Sequence, residues 1–216
     1  MSYLRSSREP ADETAGKTRR MTARGRPHTT QVDVIKPSRA DLLAAVDRKV
    51  PDLIATGLHV LFCGINPGLY SAWAGHHFAR PGNRFWPALF AAGFTERLLN
   101  PDEERELLRS GFGITNLVER ATIASDELSR EELQAGGRVF EKKVKRYRPR
   151  AVAILGVSAY RLAFDRPKAR IGPQSERMGE SVVWVLPNPS GLNAHFTPKA
   201  LASLFCEFKQ QVADLR

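Results

Sequence analysis

The chain is short of several things, and each shortage removes a class of chemistry. It has two cysteines, Cys63 and Cys206, in 216 residues. Two thiols cannot supply a four-thiolate iron–sulfur or zinc site, and nothing about them suggests a secreted disulfide framework. Both are expected to be buried core residues, one in a strand and one in a helix. No apolar run approaches the ~18 residues of a membrane span, and no apolar leader core opens the chain. The expected location is the cytoplasm, or the nucleoid if DNA is the partner. No phosphate-cradling glycine motif and no metal-ligand cluster is present, so neither a metal nor a cofactor is expected. Acidic residues are scarce as well: 23 Asp and Glu stand against 33 Lys and Arg, a formal charge of +10 with a pI near 10.1. That excess favours a polyanion, because neutralised phosphates release counterions and the field steers encounter. A basic but inert surface is the alternative.

What is present is ordinary for one globular domain with a tail: 42% hydrophobic and 26% charged residues. Residues 1–37 lack periodic apolar positions, carry Arg19, Arg20, Arg24 and Arg26 close together, and cannot bury enough surface to offset their ordering entropy. They read as a disordered basic arm that either adds non-specific DNA affinity or simply solubilises. The domain proper is expected over residues 38–216.

Ser38 is a candidate N-cap before a helix from Arg39 to Lys49 with Leu42, Leu43 and Val46 in a stripe. A buried strand at His59 to Cys63 follows, then a Gly- and Pro-punctuated loop from Tyr70 to Asn83 dense in aromatic and polar groups. Helices are expected over Arg84 to Gly93, with Phe85, Trp86, Leu89 and Phe90 on the sheet, and over Asp102 to Ser110. A second strand runs from Phe112 to Leu117. Ser129 and Glu132 form a capping-box pattern that opens a long helix to Tyr147, locally weakened by Gly136-Gly137. Ala151 to Leu155 is a continuous apolar run of the parallel-strand type. A helix from Ser158 to Phe164, an irregular stretch from Asp165 to Gly179, a strand from Val182 to Leu186 and a closing amphipathic helix around Leu201, Leu204, Phe205 and Phe208 complete the chain. Strands alternating with helices imply a mainly parallel sheet with helices on both faces.

Two strand exits share one grammar. Leu61-Phe62-Cys63-Gly64-Ile65-Asn66-Pro67-Gly68 and Val183-Trp184-Val185-Leu186-Pro187-Asn188-Pro189-Ser190-Gly191 each empty an apolar strand into an Asn-Pro turn followed by small residues. Asn and Pro are ordinary turn formers. Alternatively, the two turns are opposite lips of one cleft, because in an open α/β sheet ligands bind beyond the strand ends.

The motifs Gly64-Ile65-Asn66-Pro67-Gly68, Gly75-His76-His77-Phe78 continuing to Pro81-Gly82-Asn83-Arg84-Phe85-Trp86, Thr115-Asn116-Leu117-Val118-Glu119-Arg120, Gly136-Gly137-Arg138 and Asn188-Pro189-Ser190-Gly191-Leu192 together resemble the mismatch-specific uracil-DNA glycosylase family, which includes the thymine-DNA glycosylases. The resemblance spans roughly residues 50 to 215 and implies a three-layer α/β/α sandwich with a central mainly parallel sheet. It implies a monomeric hydrolase that cleaves the N-glycosidic bond of uracil in double-stranded DNA with U:G or related mismatches; no lysine occupies a clear nucleophile position, so neither a Schiff base nor strand cleavage is expected. By resemblance, Asn66 holds the attacking water and Phe78 stacks on the flipped base. Ser71 and Asn188 are polar groups at the pocket, and the backbone at Ile65 and Phe78 bonds the base. Gly68 leaves room for larger pyrimidines such as ethenocytosine or thymine. His77 contacts the base or the water, or else is a plain surface-loop histidine. Gly191 and Leu192 resemble the wedge that enters the duplex, with Ser190 and Asn193 beside it as DNA-binding residues. His195 stands near where some relatives carry a penetrating arginine. A lesion-binding module of the same fold with negligible turnover is the competing expectation.

Overall fold

The strand that leads to Asn66 is buried on both faces. β1 (Val60–Gly64) contributes Val60 and Phe62 to one core and Leu61 and Cys63 to the other, the period-two split of an interior strand. In the computed structural model, which describes residues 36–46, 48–213 and 215, β1 pairs in parallel with β2 (Phe112–Asn116) on one side and β3 (Ala151–Leu155) on the other. β5 (Ser181–Leu186) continues the sheet in parallel beside β3. β4 (Gly172–Met178) closes the edge antiparallel to β5, giving the order β2-β1-β3-β5-β4.

Helices cover both faces. On the first, α3 (Phe85–Ala91) and α7 (Pro198–Ala213) bring Phe85, Phe205 and Phe208 around Phe62, whose ring centroid lies 5.4 to 6.2 Å from those of Phe85, Phe94, Phe205 and Phe208. On the second, α5 (Arg130–Tyr147) and α6 (Val157–Ala163) supply Leu133, Phe140, Val144 and Tyr160 against Leu61, Val152, Ile154 and Val185. The result is the three-layer sandwich that the alternation of elements implies. Interiors of this kind resist truncation, at about 3–5 kcal/mol for a buried Phe cut to Ala.

α1 (Arg39–Leu43) has the Ser38 cap, with a reciprocal Asp41 box, but stops well before Lys49. It buries none of its own residues; Leu42 and the following Ala45 pack toward Leu69, Ala72 and Ala121, but Leu43 and Val46 stand exposed, so the stripe read from sequence has little to hold further turns. The stretch read as a loop from Tyr70 begins in a helix, α2 (Leu69–Ala74), capped by Gly68 and ended by Gly75 in the left-handed region. The helix expected from Asp102 is split into a 3-10 turn, Pro101–Glu103, and α4 (Glu106–Arg109). Residues read as irregular form β4, whose polar alternation and Pro173 are those of an edge strand. Cys63 is buried as expected, but Cys206 is only half-buried, and Phe90 faces solvent. Gly136 and Gly137 do not weaken α5. A Cβ at Gly136 would lie 2.3 Å from the Leu117 carbonyl oxygen and one at Gly137 2.7 Å from that of Ala163, so the pair lets the helix approach its neighbours closely. The basic arm expected over residues 1–37 lies, apart from Lys36 and Pro37, outside the described residues.

Candidate active site

The chain leaves β1 for β2 on one side and later returns to β3 on the other, so the sheet's switch point lies beyond the end of β1. A cleft of about 370 Å³ opens there. Its lining combines Gly64 to Gly68, Ser71, His77 and Phe78, Asn116 at the end of β2, Leu155 at the end of β3, Thr122 to Asp126, and Asn188, Ser190, Leu192 and Asn193 after β5. The two Asn-Pro turns thus face one hollow.

Asn66 is fixed by the segment after β2. Its carboxamide nitrogen donates to the Arg120 carbonyl at 2.9 Å and to the Thr122 hydroxyl at 2.7 Å. The two backbones are laced together, with Thr122 N–H on Pro67 O at 3.2 Å and Leu69 N–H on Thr122 O at 3.1 Å. Arg120 is itself held by Glu132, Nε to Oε1 at 2.8 Å. Both amide protons of Asn66 are therefore committed, and its oxygen is the acceptor left on a cleft-lining side chain.

The opposite wall is built on Gly64. A Cβ there would lie 2.4 Å from Asn116 Oδ1 and 3.2 Å from Phe78 Cζ, so the bare Cα is what lets both side chains close in on it. Phe78 has a φ of 54°, a conformation that costs a non-glycine residue of order 1–3 kcal/mol. Neighbouring bonds enforce it. The His77 N–H donates to Glu104 at 2.8 Å, the Trp86 indole to His77 O at 3.2 Å, and the Ala79 N–H to Ser71 Oγ at 3.1 Å. The Phe78 N–H between them has no acceptor among the described residues. One ring face of Phe78 is stacked on Phe85 at a centroid distance of 4.1 Å, leaving the other for an occupant of the cleft.

His77 is buried, which removes the surface-loop alternative. Its Nε2 lies 3.0 Å from the Pro51 carbonyl and so carries the proton, leaving Nδ1 bare toward Asn116 Nδ2 at 3.5 Å. Burial pushes its pKa down, opposed by the Glu104 carboxylate, so the imidazole is neutral. The other ionisable side chains on the lining, Arg80 and Asp126, are exposed at the rim.

The segment after β5 is a built loop. Asn188 Oδ1 accepts from the Ser190 N–H at 3.0 Å, and Asn193 Nδ2 donates to Asn188 O at 2.9 Å. Arg84 clamps it: its guanidinium donates to Ser190 O and Asn193 O, each at 2.8 Å, and to Phe196 O, while its N–H meets Pro189 O at 2.9 Å. A Cβ on Gly191 would strike Gly82 O at 2.4 Å, so the two loops touch through backbone. Leu192 projects from this frame, 68% exposed.

Of the residues singled out from sequence, Ile65, Asn66, Gly68, Ser71, His77, Phe78, Asn188, Ser190, Leu192 and Asn193 share the cleft. Gly191 and His195 are exposed and off the lining, with the His195 N–H on Asn193 Oδ1 at 3.2 Å. Sequence reasoning missed Thr122, Glu104, Arg84, Ile123 and Asp126. Arg84 lies inside a motif quoted for the resemblance, but nothing local says that its charge is directed at carbonyl oxygens.

An open α/β sheet carries at its switch point a polar cleft walled by an aromatic ring and edged by carboxamides, a lining able to accept a flat polar ring. The family model for the uracil DNA glycosylase superfamily matches residues 51–214, and the chain belongs to that superfamily. Its members are DNA glycosylases, so a uracil-DNA glycosylase type of chemistry on DNA accompanies the fold. Among the described residues, no helix is long and apolar enough to cross a membrane.

Proposed function

We propose that this chain is a monofunctional mismatch-specific uracil-DNA glycosylase of the kind that includes the thymine-DNA glycosylases. It extrudes uracil from a U:G pair in duplex DNA and hydrolyses the glycosidic bond. The observation that carries the reading is the double tether of the Asn66 amide to Arg120 and Thr122, which leaves its oxygen for a water. Asn has no group that titrates near neutrality, so it orients water and does not deprotonate it. The C1′–N1 bond breaks with its electron pair going to uracil. The water oxygen then bonds to C1′ and its proton leaves, giving free base and an abasic sugar. Fixed donors such as the Phe78 N–H and the Asn188 carboxamide stabilise the departing anion. With neither a carboxylate at position 66 nor an imidazole at 188, a modest rate is expected.

The walls support the rest. A base inside a duplex is out of reach, and extrusion costs least at a mismatch. Phe78 returns roughly 1–3 kcal/mol by stacking on the base, and Leu192 fills the vacated space. Nothing lies within 4 Å of a Cβ built at Gly68, which is room for ethenocytosine or thymine opposite guanine. No lysine is on the cleft lining among the described residues, which supports hydrolysis without a Schiff base.

The test is excision, without metal, from U:G, U:A, T:G, ethenocytosine:G and single-stranded uracil substrates, with alkali to reveal abasic sites. U:G is expected to be cleaved best, and Asn66→Ala to bind DNA but lose excision. Equal activity of Asn66→Ala would sink its role. Binding by the wild type without single-turnover excision would identify a lesion-binding module instead.

A further inference from the structure

Ile123 and Leu192 are the two most exposed large hydrophobic side chains of the described residues, at 67% and 68%, and both line the same cleft. A lone exposed apolar side chain needs no explanation. Two that overhang one polar hollow from separate loops are a different matter, because each loop is held rigid. Ile123 follows Thr122, whose N–H, carbonyl and hydroxyl all bond the Asn66 turn, and precedes Ala124, whose N–H donates to Glu127 at 2.9 Å. Leu192 has its N–H on Ser190 Oγ at 3.3 Å in the loop clamped by Arg84. Little ordering remains to be done when either side chain is covered.

Building on the glycosylase reading, we infer that Ile123 is a second apolar DNA contact, packed on the damaged strand beside the extruded nucleotide while Leu192 fills the gap in the stack. Its position sets its target. It is next in sequence to the residue that tethers Asn66, and the water on Asn66 must reach C1′, so the rim that carries Ile123 lies beside the extruded sugar. The apolar edge of the adjoining deoxyribose is what a β-branched side chain with a stiff χ1 covers well. Leu192 and Ile123 then grip the strand from both rims and hold C1′ over the water.

The full-length protein carrying Ile123→Ala, Ile123→Asn or Leu192→Ala tests this on a G-containing duplex with a tetrahydrofuran abasic analogue, and on U:G duplexes with 2-aminopurine beside the uracil. Both Ile123 variants are expected to keep the thermal midpoint, to weaken abasic-duplex binding roughly three- to tenfold, and to slow single-turnover excision. The 2-aminopurine signal from the damaged strand is expected to shrink. Wild-type binding and rates in both Ile123 variants, with Leu192→Ala impaired, would overturn the inference and leave the glycosylase reading intact. A wild-type protein that neither binds nor cleaves these duplexes would overturn both.

Discussion

The Asn66 carboxamide nitrogen and the Thr122 hydroxyl lie 2.7 Å apart, a contact that joins the exit of β1 to the segment following β2. Because Thr122 Oγ1 is the acceptor here, an isosteric Thr122→Val removes a bond and leaves the volume intact. One amide proton of Asn66 is then free to turn into the cleft in place of the oxygen. Single-turnover excision should fall roughly tenfold, the effect of one net hydrogen bond. Thr122→Ser should restore it, and abasic-duplex binding should hardly change. Wild-type rates in the valine variant would show that the tether does not orient Asn66.

The two glycines that flank the Asn66 turn, Gly64 at the end of β1 and Gly68 at the cap of α2, should respond in opposite ways. Gly68 has an ordinary extended backbone and open space where a Cβ would go, so Gly68→Tyr should fold normally, keep uracil excision, and lose activity on thymine and ethenocytosine. Gly64→Ala would put a methyl 2.4 Å from Asn116 Oδ1; it should lower the unfolding midpoint and cut uracil excision by at least about tenfold, through a displaced Asn116 and Phe78. Undiminished excision of the larger bases by Gly68→Tyr would count against the pocket.

His77 gives the stability a pH dependence whose sign is fixed by burial. Its pKa is held below the ordinary value of about 6.5, with Glu104 and Asp52 opposing the shift and His76 reinforcing it. As pH falls below about 6.5 the unfolded chain takes up the proton first, so the folded state loses stability until pH passes the lowered native value. Above about 6.5 this residue contributes no slope. His77→Gln can keep an N–H for Pro51 and removes the titration. The difference between wild-type and variant unfolding free energies, measured in urea from pH 5 to 8, should therefore vary at the acid end and flatten above pH 7. A constant difference would contradict the assignment.

What was legible in the sequence was what local pattern encodes. β1 and β3 are continuous apolar runs, and both proved to be buried on both faces. Ser38 and Ser129 cap the helices they precede. Asn66 and Asn188 leave parallel strands that end on the same side of the sheet, so they meet in one cleft. β4 was not legible, because an edge strand paired on one side has no apolar stripe to display. Nor were the roles of Thr122 and Arg84, since their partners lie 56 and 106 residues away, at separations on which propensity and periodicity are silent.

Arg84 holds the loop after β5 through three carbonyl oxygens. They belong to Ser190, Asn193 and Phe196, three points of the loop that presents Leu192. Lysine offers one compact ammonium in place of a planar fork and cannot reach all three at once. Arg84→Lys should therefore loosen the loop without touching the Asn66 tether. Abasic-duplex binding and duplex excision should weaken by roughly tenfold, consistent with one or two lost charge-assisted bonds. Excision from single-stranded uracil, which needs no wedge, should suffer less. Protease cleavage within residues 190–197 should rise in the free protein and be suppressed by the abasic duplex. Equal losses on single- and double-stranded substrates, with no new cleavage, would show that Arg84 acts elsewhere.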